Sequence, residues 1–406
     1  MTDENKNDSI VSTSSSSLIR VGNSISITNK LLYGEIEELF NNAFCLLNGI
    51  KNSNLNYLFL IESNPNHRKT TGYPYRAEKN DDYIEAIKLF THIIDKKNNH
   101  ALSYEMRGIA NLRLENYVTS IEDYSKAIRI NPNNENAYYN RGIVKDKLKD
   151  YNGVIEDYSI AIEINPQYAN AYNNRGVTKH YLKDYIGAIE DYSIAIEINP
   201  QYANAYNNRG SAKKELKDYL GAIEDYSKVI EINPQYANAY NNRGSAKEDL
   251  KDYVGAIDDY SKAIEINPEN EDAYKNRGSA KHELKNYKGA IKDFSKAINI
   301  DPNDENSFIY RGIAEINLKE YNSAIEDFSK AINIDPNDEN SFFYRGIAKK
   351  ALKDYYGAIE DYSKAIEINP EYEDAYKNRG FAKKEIGDQN GATEDMLKYE
   401  NLKNNK

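Results

Sequence analysis

Apolar and small residues along most of this chain recur with a helical period, and the pattern restarts every 34 residues. Residues 169–202 serve as the type segment. Tyr172, Gly176, Val177 and Leu182 mark one amphipathic helix, and Tyr185, Ala188, Ile189, Tyr192, Ala195, Ile196 and Ile198 mark a second. Between them stands Lys183-Asp184, where Asp184 is placed to accept from the free N–H groups that open the second helix. Asn199-Pro200 ends that helix, because proline lacks a donor and disfavours helical geometry in the residue before it. Neither helix can bury its apolar face alone, so a core has to come from stacking one pair on the next.

The period is strict. Arg-Gly occurs nine times, beginning at Arg107, Arg141, Arg175, Arg209, Arg243, Arg277, Arg311, Arg345 and Arg379, with no insertion or deletion between them. Eight prolines keep the same spacing, from Pro132 to Pro370. A fixed period of this length predicts an all-α solenoid of helix-turn-helix units rather than one globular core. Nine units follow, at 101–134, 135–168, 169–202, 203–236, 237–270, 271–304, 305–338, 339–372 and 373–406. The ninth is worn, with Met396 and Tyr399 in place of the aromatic and the alanine and no terminal proline. Segment 82–95 aligns with 184–197, which makes 81–100 a half repeat lacking its first helix. The preceding residues 29–80 form a helix and a loop of uncertain fold, with the Leu31–Ile50 helix a candidate to dock in the missing place. Residues 1–28, rich in Ser, Thr and Asn, read as a disordered tail.

Composition narrows the function classes. Residues 1–80 hold eight acidic and eight basic side chains, so the whole net charge of -11 sits in the repeats. An acidic array argues against nucleic acid and against an anionic membrane surface as partner. Glu35, Glu37 and Glu38 interrupt the richest apolar stretch and forbid a membrane span there. The start of the chain is polar, without the apolar core of a signal peptide. Cys45 is the only cysteine, which is compatible with a reducing compartment, and a cytoplasmic protein is expected. Most of the 36 tyrosines are expected to pack between helices with the hydroxyl reaching the surface.

No catalytic constellation is present. The five histidines are scattered, and His180 and His282, which share a repeat position, stand three repeats apart. No zinc spacing, phosphate loop, serine elbow or HExxH pattern occurs, so no metal, no cofactor and no enzyme are expected. Each Arg of the Arg-Gly series has an Asp sixteen residues further on, from Asp123 to Asp395. Nine pairs in nine units suggest an ion pair between helices. The alternative is a row of arginines that clamps a ligand's carboxylates.

The order aromatic, Gly, Ala, aromatic, Ala, Pro over 34 positions resembles the tetratricopeptide repeat, and the resemblance covers 101–406. Two departures stand out: Arg in place of the usual Leu before the Gly, and mostly Lys in place of the Tyr three residues beyond it, as at Lys179 and Lys213. The resemblance implies a right-handed superhelix whose first helices line a concave groove. It also implies that unit positions 2, 5, 6, 9, 12 and 13 face a bound peptide. Those positions fall into three zones.

The middle zone is a series of asparagines, Asn140, Asn174, Asn208, Asn242 and Asn276, with Asn378 in the last unit. It is similar to the asparagine ladder of O-linked N-acetylglucosamine transferases, where side-chain amides meet a peptide backbone. The alternative is that Asn there only structures the helix surface. The second zone is apolar: Ile309, Tyr310, Ile313, Ile316, Phe343, Tyr344 and Ile347. An exposed patch of this kind marks a binding site; the alternative is a recent duplication whose side chains pack on each other. The third zone, Met106, Ile109, Leu112, Tyr139 and Ile143, is open to coverage by the N-terminal segment.

The carboxylate clamp of chaperone-binding relatives is incomplete, since Lys275 is followed four residues later by Ser279 and Lys377 by Phe381. An acidic chaperone C-terminus is therefore not the expected partner. The sequence predicts a non-catalytic scaffold that binds an extended or helical segment of another protein. A self-associating regulator whose residues 1–80 fill the groove is the alternative, and a helical-repeat RNA reader a more distant one.

Overall fold

The turn that joins the two helices of a pair shows how local chemistry builds the repeat. At Leu182–Asp184 the Lys183 N–H donates to His180 C=O at 2.8 Å and the Asp184 N–H to Lys179 C=O at 2.9 Å. These bonds satisfy the carbonyls that the ending helix leaves open. They require a left-handed residue between, and Lys183 takes it with φ of 64°. The same conformation recurs at Lys149, Lys217, Lys251, Lys285, Lys319 and Lys353, whereas the ninth turn uses Gly387. Asp184 then caps the next helix, accepting from the Gly187 N–H at 3.0 Å, as the sequence predicts. At the far end the Asn199 side chain accepts from the Gln201 N–H at 3.2 Å and holds the chain in a turn across Pro200.

The computed structural model describes residues 39–44, 46 and 80–404. The tail at 1–28, most of the segment at 29–80 and Cys45 lie outside the described residues. Two compact bodies are present, one up to Leu216 and one from Lys217. The first contains α1 (Asn80–Lys96), α2 (Ala101–Arg113), α3 (Tyr117–Ile130), α4 (Glu135–Lys147), α5 (Tyr151–Ile164), α6 (Ala169–Tyr181), α7 (Tyr185–Ile198) and α8 (Ala203–Glu215). The second contains α9 (Tyr219–Ile232), α10 (Ala237–Asp249), α11 (Tyr253–Ile266), α12 (Glu271–Glu283), α13 (Tyr287–Ile300), α14 (Glu305–Asn317), α15 (Tyr321–Ile334), α16 (Glu339–Ala351), α17 (Tyr355–Ile368), α18 (Glu373–Glu385) and α19 (Gln389–Asn404).

Within each body, a first helix packs on its own second helix where both belong to that body, and each second helix packs in turn on the next first helix. No strand occurs among the described residues. This is the all-α stack of helix pairs that the period predicts.

Close approach inside a pair depends on the glycine of the Arg-Gly step. A Cβ on Gly176 would lie 2.7 Å from the ring of Tyr192, and one on Gly346 would lie 2.6 Å from Tyr362. The aromatic ring therefore occupies the space that any side chain on the first helix would need. Both rings are fully buried.

At the start of the first body a short helix covers residues 39–44. Its Phe40, Ala43 and Phe44 share one apolar cluster with Phe90 and Ile93 of α1 and with Met106 and Ile109 of α2. Helix α1 thus gains an apolar partner from the N-terminal segment. Met106 and Ile109 are buried with it, Leu112 packs against the same cluster, and Tyr139 and Ile143 belong to the next one. In the third apolar zone Met106, Ile109 and Tyr139 are interior, and Leu112 and Ile143 are half-buried.

Two substitutions separate these constraints. Gly176→Ala forces the Tyr192 ring to move and is expected to destabilise the first body by about 1–3 kcal/mol. Lys183→Gly relieves a left-handed non-glycine residue and is expected to stabilise it by about 1 kcal/mol. Denaturant titration of each variant, with the helical circular dichroism signal as readout, checks both signs.

Candidate functional site

The recurring arginines are the first feature to place. Arg175 of α6 donates through Nε and Nη2 to the two carboxylate oxygens of Asp191 on α7, at 2.9 and 2.7 Å. Its Nη1 donates to the Ser159 hydroxyl on α5 of the preceding pair, at 2.9 Å. The guanidinium carbon sits 5.6 Å above the Tyr172 ring. Lys179, one turn beyond, places its ammonium 2.9 Å from the second oxygen of Asp191. The Arg–Asp pair closes in the same way at Arg107, Arg141, Arg243, Arg277, Arg311, Arg345 and Arg379. The guanidinium groups are thus engaged on several sides inside the stack, and the arrangement is that of a strut rather than a ligand clamp. Sequence reasoning missed the third partner, the hydroxyl sixteen residues before each Arg.

Two sockets depart from the rest: in the 101–134 unit the lysine position holds Asn111, whose Nδ2 donates to Asp123 at 3.0 Å. In the 305–338 unit the lysine position holds Glu315, which is buried with its Oε2 unpartnered. Burial and the neighbouring Asp327 carboxylate push Glu315 up to about 7. Glu105 of α2 is a second buried acid, accepting from Asn134 Nδ2 at 2.7 Å, and burial raises it to about 7 as well.

The asparagine series lies where successive first helices meet. Asn174 Nδ2 donates to the Tyr139 hydroxyl at 3.0 Å, Asn208 Nδ2 to Asn173 Oδ1 at 3.2 Å, and Asn276 Nδ2 to Asn241 Oδ1 at 3.2 Å. In each case unit position 6 reaches position 5 of the preceding unit. Asn140 and Asn208 are buried, while Asn174, Asn242 and Asn276 are half-buried. The amides at 174, 208 and 276 therefore have partners inside the stack.

The apolar zone needs a correction. Phe343 and Ile309, expected on an exposed patch, are only 7% and 8% exposed. Phe343 lies 4.8 Å from the Tyr372 ring and 5.9 Å from Tyr362, and Ile309 joins a cluster with Phe308 and Phe328. Position 5 is turned into the contact between neighbouring pairs, which helical periodicity in one unit does not reveal. The remaining members reach the surface: Tyr310 is 45% exposed, and Ile313, Ile316, Tyr344 and Ile347 are half-buried.

Tyr310 stacks on Phe294 at 5.8 Å, and Tyr344 stacks on Phe328 at 5.9 Å. These phenylalanines are informative. Wherever the second helix carries Tyr at unit position 24, position 6 of the next unit is Asn; at 294 and 328 it carries Phe, and the next position 6 is Tyr. Phenylalanine presents a ring with no hydroxyl to leave unpaired beneath the stacked tyrosine. The exchange of Asn for Tyr and of Tyr for Phe is one coupled change.

Phe381 of α18, 46% exposed, stands at the unit position of Ile313 and Ile347, and Lys350 of α16 is half-buried. Neither was singled out as a binding residue from the sequence. Among the described residues no group of His, Cys, Asp or Glu is placed to hold a metal ion, and no helix is long and apolar enough to cross a membrane.

Two measurements follow. A carboxyl whose folded pKa lies above its unfolded value binds its proton more tightly when folded. The Glu315 contribution to stability therefore falls as pH rises from about 4.5 to about 7 and is constant above that. Glu315→Lys, which restores the socket of the other units, is expected to remove a pH-dependent loss on the order of 3 kcal/mol across that window. Denaturation at pH 5 and pH 8 reads it. Separately, Tyr344→Asn alone is expected to cost about 2 kcal/mol, and adding Phe328→Tyr to recover about 0.5–1 kcal/mol of it. Additive costs in that cycle would break the proposed coupling.

With the helix pairs and their contacts in place, the chain can be set beside known proteins. The family description "Tetratricopeptide repeat" matches residues 135–168, 169–202, 237–270 and 271–304, and a second description of the same name matches 311–338. The description "TPR repeat" matches 110–149, 210–251 and 348–387. No curated protein matches the chain. Among solved structures, YrrB, described as a TPR protein with an unusual peptide-binding site, is 25% identical over 46% of this chain and 96% of its own, with a TM-score of 0.42. A tetratricopeptide repeat protein from Parabacteroides merdae is 20% identical over 61% of this chain and 98% of its own, at 0.47. The C-terminal part of a TPR repeat-containing protein from Cytophaga hutchinsonii is 20% identical over 57% and 95%, at 0.49. The family matches run through most of residues 110–387 and fall on the paired helices described above, and the chain belongs to the tetratricopeptide repeat family.

Proposed function

We propose that this chain is a non-catalytic scaffold that binds an extended or helical segment of a partner protein along the first helices of its second body. Membership of a family built for protein–protein contact supports the general reading. The observation that carries the specific one is Tyr310, a stacked aromatic left 45% exposed beside the half-buried Ile313 and Ile316. Tyr344 and Ile347 continue the row on α16. A rigid ring that is already packed on one side loses little entropy on binding, which suits it as an anchor.

Phe343 and Ile309 act in this reading as the floor behind the anchors. Asn140 and Asn208 are buried and face the stack rather than a partner, so in this reading polar contacts fall to the half-buried Asn174, Asn242 and Asn276. Autoinhibition through the 39–44 helix is less favoured, because its Phe40 and Phe44 belong to the cluster that covers Met106 and Ile109.

Affinity capture from cell extract with the wild type and with Tyr310→Ser/Tyr344→Ser tests the assignment. The expected result is at least about tenfold weaker recovery of the main partner by the variant, with melting behaviour checked in parallel. Equal recovery of the same partners would sink it.

A further inference from the structure

The side chain at unit position 11 brings an N–H donor to the buried aspartate of the socket. The ammonium groups of Lys145, Lys179, Lys247, Lys281, Lys349 and Lys383 lie 2.6–2.9 Å from Oδ2 of that aspartate. Lys145, Lys179, Lys247 and Lys349 also donate to the backbone carbonyl at position 19, at 3.2–3.4 Å. In the first unit Asn111 reaches Asp123 through its amide at 3.0 Å. These sockets define one place, between positions 11, 19 and 23, that belongs to an N–H donor.

In the 305–338 unit the same place is lined by acceptors. Position 11 is Glu315, one helical turn beyond Arg311 and on the same face of α14. Position 23 is Asp327, held by Arg311 Nε and Nη2 at 2.6 and 2.7 Å. The carbonyl at position 19 is that of Ser323, where six of the other units carry the glycine of the second helix and Gly391 ends the series. Glu315 is only 7% exposed, and its Oε2 has no hydrogen-bond partner among the described residues. Position 16, the aspartate that caps α17 from Asp354, is here Glu320 and makes no side-chain cap. Lys319 does not supply the missing charge: it is exposed, forms the left-handed turn with φ of 63°, and makes no ion pair among the described residues. A buried carboxylate without a donor, beside a second carboxylate, is costly, and a positive N–H donor between them offsets that cost.

We infer that the Glu315–Asp327 socket is a seat for a primary ammonium group supplied by another molecule, in the place that a lysine of the chain fills in the other units. An alkylammonium carries three N–H donors, and the place offers the Glu315 carboxylate, Asp327 Oδ2 and the Ser323 carbonyl. A metal ion suits it less, since among the described residues no three acidic or metal-ligating side chains converge. The exposed Glu320 and Ser323 mark the turn between α14 and α15 as the side of entry. The ammonium is that of a partner's lysine or of a free alkylamine, which share this chemistry. The inference is independent of the groove reading.

Thermal unfolding of the full chain at pH 8, where Glu315 is ionised, tests the seat. The probe is n-butylammonium chloride, and tetramethylammonium chloride, which has no N–H, is the control at equal ionic strength. Butylammonium at several times its Kd is expected to raise the midpoint by about 3 °C, and tetramethylammonium by less than about 1 °C. Glu315→Lys supplies the ammonium from within, as in the other units, and is expected to abolish the difference while keeping the helical signal. Equal gains from the two salts, or a butylammonium gain that persists in Glu315→Lys, overturn the inference. A gain from calcium chloride with none from butylammonium overturns it as well. Nα-acetyl-lysine amide and spermidine, titrated in the same way, separate the sources: the larger gain from the first supports a partner's lysine, and from the second a free polyamine. Tyr310 and Tyr344 do not enter this readout, so its failure leaves the groove reading standing.

Discussion

A buried aspartate in each second helix is the interaction on which the stack depends. Asp191 receives Arg175 and Lys179 from its own first helix, while Arg175 reaches back to Ser159 in the preceding pair. One socket therefore ties three helices across two repeats. Its geometry explains the absence of insertions and deletions: one extra residue in a helix would turn the following side chains by about 100° and carry Arg or Asp out of register. The socket also explains why Arg stands where relatives carry Leu. An apolar residue would pack as well or better, but once Asp is buried, removing its partner strands a charge at a cost of about 3–5 kcal/mol. The pair is held together by the penalty for breaking it.

Much of this was legible in the sequence. Helix pairs, the Asp184 cap, the stop at Asn199-Pro200 and the Arg–Asp pairing follow from periodicity and the chemistry of single side chains. The left-handed turn at Lys183 did not, because lysine carries no signal for positive φ as glycine does; only Gly387 advertises that conformation. The serine of the socket was invisible for a related reason, since a hydroxyl at a regular spacing on a helix surface is unremarkable until a neighbouring helix is known to face it. The candidate site suffered most. A helical wheel places unit positions 5 and 6 on one face, and nothing within a unit tells that position 5 is sealed by the next pair. Phe343 looked like an anchor and is a wall.

The coupled change at Phe294/Tyr310 and Phe328/Tyr344 bears on how a site can arise in such an array. Position 6 is both a surface residue and a contact with the preceding second helix, so it cannot vary alone. Replacing Asn by Tyr brings an aromatic face against position 24, and the hydroxyl there is lost in step. Core and proposed recognition surface are thus a single layer at this position. Tyr310 and Tyr344, the anchors of the proposed site, are braced by the core and carry a stability cost when altered. A loss of binding at Tyr310 or Tyr344 is interpretable only beside the stability of the same variant.

Unit position 12 takes no part in the Arg–Asp socket, and it differs widely between units. It reads His180, Lys214, Glu248, His282, Ile316, Lys350 and Lys384 from the third unit to the ninth, because the register that the socket fixes leaves the identity of this side chain open.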